Sequence, residues 1–186
     1  MSKPTLYFPY GSNLNSAHFA DWLAGKGLTG VGSKMEKVSN AYLTGYRLGF
    51  TRRSMKWEAG VADIVKANGE RVWGVVFRPN EGQWRALDQK EGVNIGAYKL
   101  HEVLVQYDKE TPVKDHLHAC TTYVVVKREG SLQVPNPEYL KIIQDGGKEH
   151  GLAQEFFNHL TVASLTERNP VDIRMDDISG MQLESE

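Results

Sequence analysis

The stretch that decides the fold is "TLYFPYGSNLN", Thr5 to Asn15, near the start of the chain. Its apolar and aromatic run predicts a buried strand over Leu6–Tyr10. The run breaks at Gly11 into small polar residues, and a helical pattern begins almost at once. A strand that turns into a helix in this way leaves backbone N–H groups unpaired, and such groups suit a carboxylate or an oxyanion. The segment Tyr10–Asn13 is therefore either a capped turn or a binding loop.

The composition is that of a globular protein with a sizeable core. The chain has 186 residues, of which 40% are hydrophobic and 24% charged, and its formal net charge is −1. This charge argues against nucleic acid or an anionic membrane as the main partner. The single cysteine, Cys120, allows no internal disulfide, and no signal peptide or membrane-spanning run is visible. We expect a cytoplasmic protein with one catalytic domain over residues 1–170 and a loosely ordered tail over residues 171–186.

The periodicity predicts strands first and helices last. This order is typical of an α+β domain whose sheet is closed or strongly curved. The Asn68-Gly69 pair predicts a hairpin between two of the strands. Helices are expected at Ser16–Ala24, in "NEGQWRALDQKEG" and twice in the final third of the chain. The predicted strands are Ala41–Phe50, Gly60–Lys66, Arg71–Arg78, Tyr98–Tyr107 and His118–Lys127.

One glutamate stands out on the predicted middle helix. Trp84, Leu87 and Glu91 fall at i, i+3 and i+7 and share one face, which the two apolar residues must bury. A carboxylate held beside a core loses hydration, so it can both take up and release a proton near neutral pH. Glu91 is therefore a candidate general acid and base. The alternative is that Glu91 points aside and pairs with Lys90 or caps the backbone.

Other patterns are weaker. His116, His118 and Cys120 alternate in "HLHAC" as metal ligands sometimes do, but a fourth ligand has no evident source. Ser12 lacks the G-x-S-x-G pattern of a serine hydrolase. The basic cluster "TRRSMK" can meet a substrate carboxylate or be a solvated hairpin end. We therefore expect no metal at these residues, and a metal-dependent hydrolase is kept only as an alternative.

Several motifs in order resemble the gamma-glutamylcyclotransferase family. They are "LYFPYGSNLN", "VWGVVF" and "LDQKEGVNIGAY", and the later "PNPEYLKIIQDGGKEHGL" is similar to the helical region of the animal-type proteins. The resemblance covers roughly Leu6 to Leu160. It implies a small mixed β-barrel flanked by helices, with no metal or cofactor.

The resemblance also implies a reaction. The α-amino group of a small γ-glutamyl compound attacks its own γ-carbonyl, which releases an amine or amino acid and closes 5-oxoproline. Glu91 matches the glutamate of the family's "EGV" segment and is the implied catalytic residue. The implied substrate-binding residues are Tyr10, Gly11, Ser12, Asn13, Tyr98 and Tyr139.

The leading hypothesis is an enzyme acting on γ-glutamyl amino acids or dipeptides. The same chemistry on a γ-glutamyl amine, on glutathione or on a carrier-tethered γ-glutamyl group stays open, as does a non-catalytic binder of such metabolites. The sequence specifies neither the leaving group, nor the role of the loop Gly25–Ser33, nor the oligomeric state.

Overall fold

The computed structural model describes residues 5–109, 116–129 and 133–165. The expected tail, residues 171–186, lies outside this part of the chain, so the expected domain bounds stay a prediction. The described residues confirm the α+β class. The strands are β1 (Glu36–Ser54), β2 (Ala59–Arg78), β3 (Tyr98–Tyr107) and β4 (Leu117–Val125). The α-helices are α1 (Ser16–Gly25), α2 (Glu81–Lys90), α3 (Pro137–Glu149) and α4 (Gln154–Leu165). Among the described residues, no helix combines the length and apolar character needed to cross a bilayer.

The sheet is open, so the word barrel describes it only loosely. The strands lie in the order β2-β1-β3-β4, and each hydrogen-bonded pair is antiparallel. The N-terminal segment lies between the two edge strands: Tyr7 N donates to Phe77 O of β2, and Phe8 N donates to Thr121 O of β4, each at 2.9 Å. The expected strand Leu6–Tyr10 is thus reduced to two isolated bridges at Tyr7. Pro9 has no N–H to extend the ladder.

The predicted hairpin at Asn68-Gly69 is wrong. Strand β2 continues through this pair, and the chain reverses instead at residues 55–58, between β1 and β2. The segments Gly60–Lys66 and Arg71–Arg78 are two halves of one strand. Both halves pair with β1, which is 19 residues long and therefore offers partners to β2 before and after Asn68-Gly69. The β1–β2 register shifts opposite this pair, between Thr44 and Tyr46, and Gly69 adopts a left-handed φ of 80° there.

The helix starts follow the sequence closely. Asn15 caps α1 by accepting a hydrogen bond from His18 N. Asn80 and Gln83 form a reciprocal capping box at the start of α2. Asn136 caps α3, where a proline follows at the first helical position. These contacts confirm the predicted start of α1 at Ser16 and of the helix in "NEGQWRALDQKEG", and they place the start of α3 at Pro137.

Helix α3 packs tightly on the loop that follows the N-terminal segment. An added Cβ at Gly146 would lie 2.7 Å from the backbone of Leu14 and Asn15, so only a glycine fits this approach. The Asn15 side chain donates to Ile142 O of α3 at 3.2 Å. The loop containing Gly11–Asn13 is therefore held between the sheet and α3.

Candidate active site

A pocket lies where the N-terminal segment meets the sheet, the end of α2 and the start of α3. All seven site residues predicted from the sequence line it, although their roles stay predictions. The lining residues are Tyr7, Pro9, Tyr10, Gly11, Ser12, Asn13, Ala62, Glu91, Tyr98, Thr122, Tyr123 and Tyr139.

Glu91 reaches the pocket because α2 is anchored by its apolar face. Trp84 and Leu87 are buried, and Glu91 N donates to Leu87 O at 2.9 Å, which places Glu91 at the helix end. Gly92 then adopts a left-handed φ of 64° and turns the chain away. The half-buried Glu91 carboxylate accepts a hydrogen bond from Asn13 Nδ2 at 2.8 Å. Glu91 therefore faces the Tyr10–Asn13 loop and does not point aside.

Asn13 is the centre of the hydrogen bonds around Glu91. Its side-chain amide is buried and donates to Tyr7 Oη as well as to Glu91 Oε1, both at 2.8 Å. Its Oδ1 accepts from Lys90 Nζ, also at 2.8 Å. Burial lowers the pKa of Lys90 from its ordinary value. In place of the direct Lys90–Glu91 pair that was the alternative, both side chains hydrogen-bond to Asn13.

Two tyrosine hydroxyls meet the same backbone unit of β2. Tyr139 Oη accepts from Ala62 N at 3.2 Å, and Tyr98 Oη donates to Ala62 O at 2.9 Å. The Ser12 side chain lies beside Tyr139 and acts to lower the pKa of its hydroxyl. Burial raises the pKa of Tyr139 to about 12 and that of Tyr98 well above its ordinary value. Both phenols are therefore neutral near pH 7 and can serve as hydrogen-bonding groups in the pocket.

Tyr10 and Gly11 contribute to the pocket in different ways. Tyr10 is buried, and its hydroxyl donates to Tyr123 O at 2.6 Å, so this hydroxyl is already engaged. What Tyr10 offers a ligand is its ring and its backbone. An added Cβ at Gly11 would lie 3.0 Å from Ala62 Cβ, so the glycine lets the loop approach β2 closely.

Sequence reasoning missed several residues of this site. Tyr7, Thr122 and Tyr123 line the pocket from the N-terminal segment and β4. The sequence named Lys90 as an alternative partner of Glu91, but not its contact with Asn13. Tyr7 and Tyr123 look like ordinary core positions, and their ring centroids lie 5.6 Å apart. Among these residues, only Lys90 had a signal in the sequence that could have placed it at the site, because it directly precedes Glu91 in "KEGV".

The alternative metal site gains no support from the described residues. Among them, no group of three or more His, Cys, Asp or Glu side chains is arranged to hold a metal ion. The His118 ring stacks on Tyr107 with centroids 3.6 Å apart. Cys120 is buried, and burial raises the pKa of its thiol to about 12, which keeps it protonated.

The pocket combines a carboxylate, a fixed amide and neutral phenols. Such a set can exchange a proton at Glu91 and hold polar groups of a small ligand through neutral donors and acceptors. Within the described residues, the N–H groups of Gly11, Ser12 and Asn13 donate to no backbone carbonyl. Because no backbone carbonyl occupies them, these N–H groups are available to bind an anionic group.

Comparison with known proteins places the chain in a family. Residues 71–160 match the model of the AIG2-like family. A mouse protein named gamma-glutamylcyclotransferase is 32% identical over 178 residues, which cover 93% of this chain and 86% of the mouse protein. Its human counterpart of the same name is 33% identical over 160 residues, covering 81% of this chain and 74% of the human protein. A solved gamma-glutamyl cyclotransferase structure superposes with a TM-score of 0.71 at 29% identity, covering 95% of this chain and 98% of that one. Together with the pocket around Glu91, this similarity over most of both chains shows that the protein belongs to the gamma-glutamylcyclotransferase family.

Proposed function

We propose that this member of the family acts on γ-glutamyl amino acids or dipeptides and releases 5-oxoproline and the free amino acid or peptide. The observation that carries the proposal is the position of Glu91, whose carboxylate faces the Tyr10–Asn13 loop across one small pocket. A base, a set of donors and a confined space are what this ring closure requires.

Glu91 is the proposed general base and general acid. The substrate α-amino group is mostly an ammonium at neutral pH, so it must lose a proton before its nitrogen can attack the γ-carbonyl carbon. As the new C–N bond forms, that nitrogen loses a second proton, and the original amide C–N bond then breaks. Glu91 takes up the protons in turn and passes them to the leaving nitrogen, so the carboxylate returns to its starting state.

The loop and the tyrosines are the proposed binding groups. The backbone N–H groups of Gly11–Asn13 suit the substrate carboxylate or the oxyanion that develops at the γ-carbonyl. Tyr98 and Tyr139 present neutral hydroxyls to the same pocket. Because the attacking α-amino group and the γ-carbonyl carbon belong to one molecule, holding the γ-glutamyl chain folded supplies much of the acceleration.

The proposed function also bears on the protein's partners and on its cellular location. We propose a small-molecule γ-glutamyl compound as the substrate, no nucleic-acid partner and a cytoplasmic location. The near-neutral net charge of −1 supports the absence of a nucleic-acid partner. A γ-glutamyl amine, glutathione or a carrier-tethered γ-glutamyl group would use the same chemistry with a different leaving group.

The test measures 5-oxoproline release from γ-glutamyl amino acids, γ-glutamyl amines and glutathione. The Glu91→Gln variant keeps the side-chain shape and an oxygen that can accept from Asn13, but it cannot exchange a proton. We expect kcat to fall by about a hundredfold or more, the range typical of general acid–base catalysis. Glu102→Gln, at an exposed position on β3, is the matched control and should behave as wild type.

Each outcome assigns a role. Wild-type activity in the Glu91→Gln variant would refute Glu91 as the proton carrier. A wild type that releases 5-oxoproline from none of these compounds would favour a carrier-tethered substrate or a non-catalytic binding protein.

A further inference from the structure

The orientation of the Asn13 amide is determined by its neighbour Lys90. An ammonium group only donates hydrogen bonds, so the Asn13 atom 2.8 Å from Lys90 Nζ must be the oxygen. The amide NH2 then points the other way, toward Tyr7 Oη and Glu91 Oε1. Each of the three contacts is 2.8 Å long, and Asn13 is only 7% exposed, so solvent offers few alternative partners.

This orientation matters for the proton state of Glu91. An N–H group directed at a carboxylate stabilises its ionised form. If the amide were turned over, Asn13 Oδ1 would face Glu91 Oε1, and the two oxygens would repel each other unless Glu91 carried a proton. In the observed direction, the Asn13 NH2 donates to the carboxylate form of Glu91, which is the form that can accept a proton.

Lys90 is well placed to hold that direction. It is the last residue of α2, directly before Glu91, and the helix is fixed by its capping box and by buried Leu87. The positive charge of Lys90 also acts on Glu91 itself, and opposite charges favour each other's ionised forms. The other titratable groups that influence this pair are Lys56, His18, Tyr7, Tyr10, Tyr98, Tyr123 and Tyr139.

We propose that Lys90 is a positioning residue, which holds the Asn13 amide with its NH2 toward Glu91 and so keeps the Glu91 carboxylate ionised and ready to accept the substrate's proton. The inference rests on the proposed role of Glu91. Lys90 acts through Asn13 and through its charge, without contacting the substrate or the reacting atoms.

The test compares two substitutions in the full-length protein. Lys90→Met removes both the donor and the charge. Lys90→Gln removes the charge but keeps an N–H donor for Asn13 Oδ1. Lys99→Met, at an exposed position on β3, controls for the loss of one positive charge elsewhere on the protein.

The first measurement is the pH profile of kcat/KM for 5-oxoproline release. We expect the acid limb of the Lys90→Met variant to move to higher pH by roughly one pH unit, since the carboxylate loses a nearby cation and a directed donor. Below that limb the activity should fall about tenfold, because one pH unit is a factor of ten in proton occupancy. Lys90→Gln should shift less, and Lys99→Met should not shift.

The second measurement does not depend on activity. The titration of the Glu91 carboxyl carbon is followed by NMR in ¹³C-labelled protein, with the Glu91→Gln spectrum identifying its signal. We expect the Lys90→Met midpoint to move in the same direction as the acid limb. If the wild type proves inactive on every substrate, the proposed function fails while this titration still decides the role of Lys90. An unchanged Glu91 midpoint, or a uniform loss of activity with no change of pH profile, would overturn the proposal.

Discussion

Gly146 of α3 offers a direct test of whether the active-site loop depends on its support. In the Gly146→Ala variant, the added methyl carbon would lie 2.7 Å from Asn15 N and from two atoms of Leu14. Two of these three atoms belong to the backbone, so a change of side-chain rotamer cannot remove the clash. Ordinary contacts begin near 3.4 Å, and the helix or the loop must therefore move by roughly 0.7 Å.

The expected cost follows from two opposing effects. Overpacking of this kind costs about 1–3 kcal/mol or more, while replacing glycine with alanine in a helix regains up to about 1 kcal/mol. We expect a net loss of about 1–2 kcal/mol in the free energy of unfolding and a lowering of Tm by roughly 2–8 °C. Because the loop carries Gly11–Asn13, a displacement of this size should also lower kcat by about tenfold or more.

The assay pairs thermal and urea unfolding with 5-oxoproline release. Gly25→Ala is the matched control, since nothing lies within 4 Å of an added Cβ at the end of α1. That variant should be at least as stable as wild type and fully active. A Gly146→Ala protein with wild-type stability and kcat would refute the claim that α3 positions the loop through this contact.

Two further predictions concern single side chains near the pocket. Tyr139→Phe removes the acceptor of the Ala62 N–H, so we expect a loss of about 1–3 kcal/mol in unfolding free energy and a fall in kcat/KM of about tenfold; an unchanged urea midpoint would contradict this. Burial lowers the pKa of His18 from 6.5 to about 4, so the unfolded chain binds a proton that the folded chain excludes. Stability should therefore fall as the pH drops from 6.5 toward 4, and His18→Gln should flatten this dependence in urea unfolding at several pH values. Equal slopes for the variant and the wild type would show that His18 is not the responsible group.

Local signals in the sequence determined the helix starts and singled out Glu91 and the Tyr10–Asn13 loop, whereas Tyr98 and Tyr139 were identified only through the family resemblance. The capping contacts of Asn15, Asn80 and Asn136 were predictable because a cap joins residues only three positions apart. The direction of Glu91 was also predictable, because helical spacing places it beside Trp84 and the buried face of α2.

The tertiary structure alone decided how distant segments meet. Asn68-Gly69 has the local chemistry of a hairpin, but β1 is long enough to pair on both sides of it, so the strand continues. Likewise, no spacing rule joins Asn13 to Lys90 and Glu91, which lie 77 and 78 positions away along the chain. Short-range patterns depend on backbone geometry over a few residues, whereas pairings of this kind depend on which long-range contacts bury the most surface and satisfy the most polar groups.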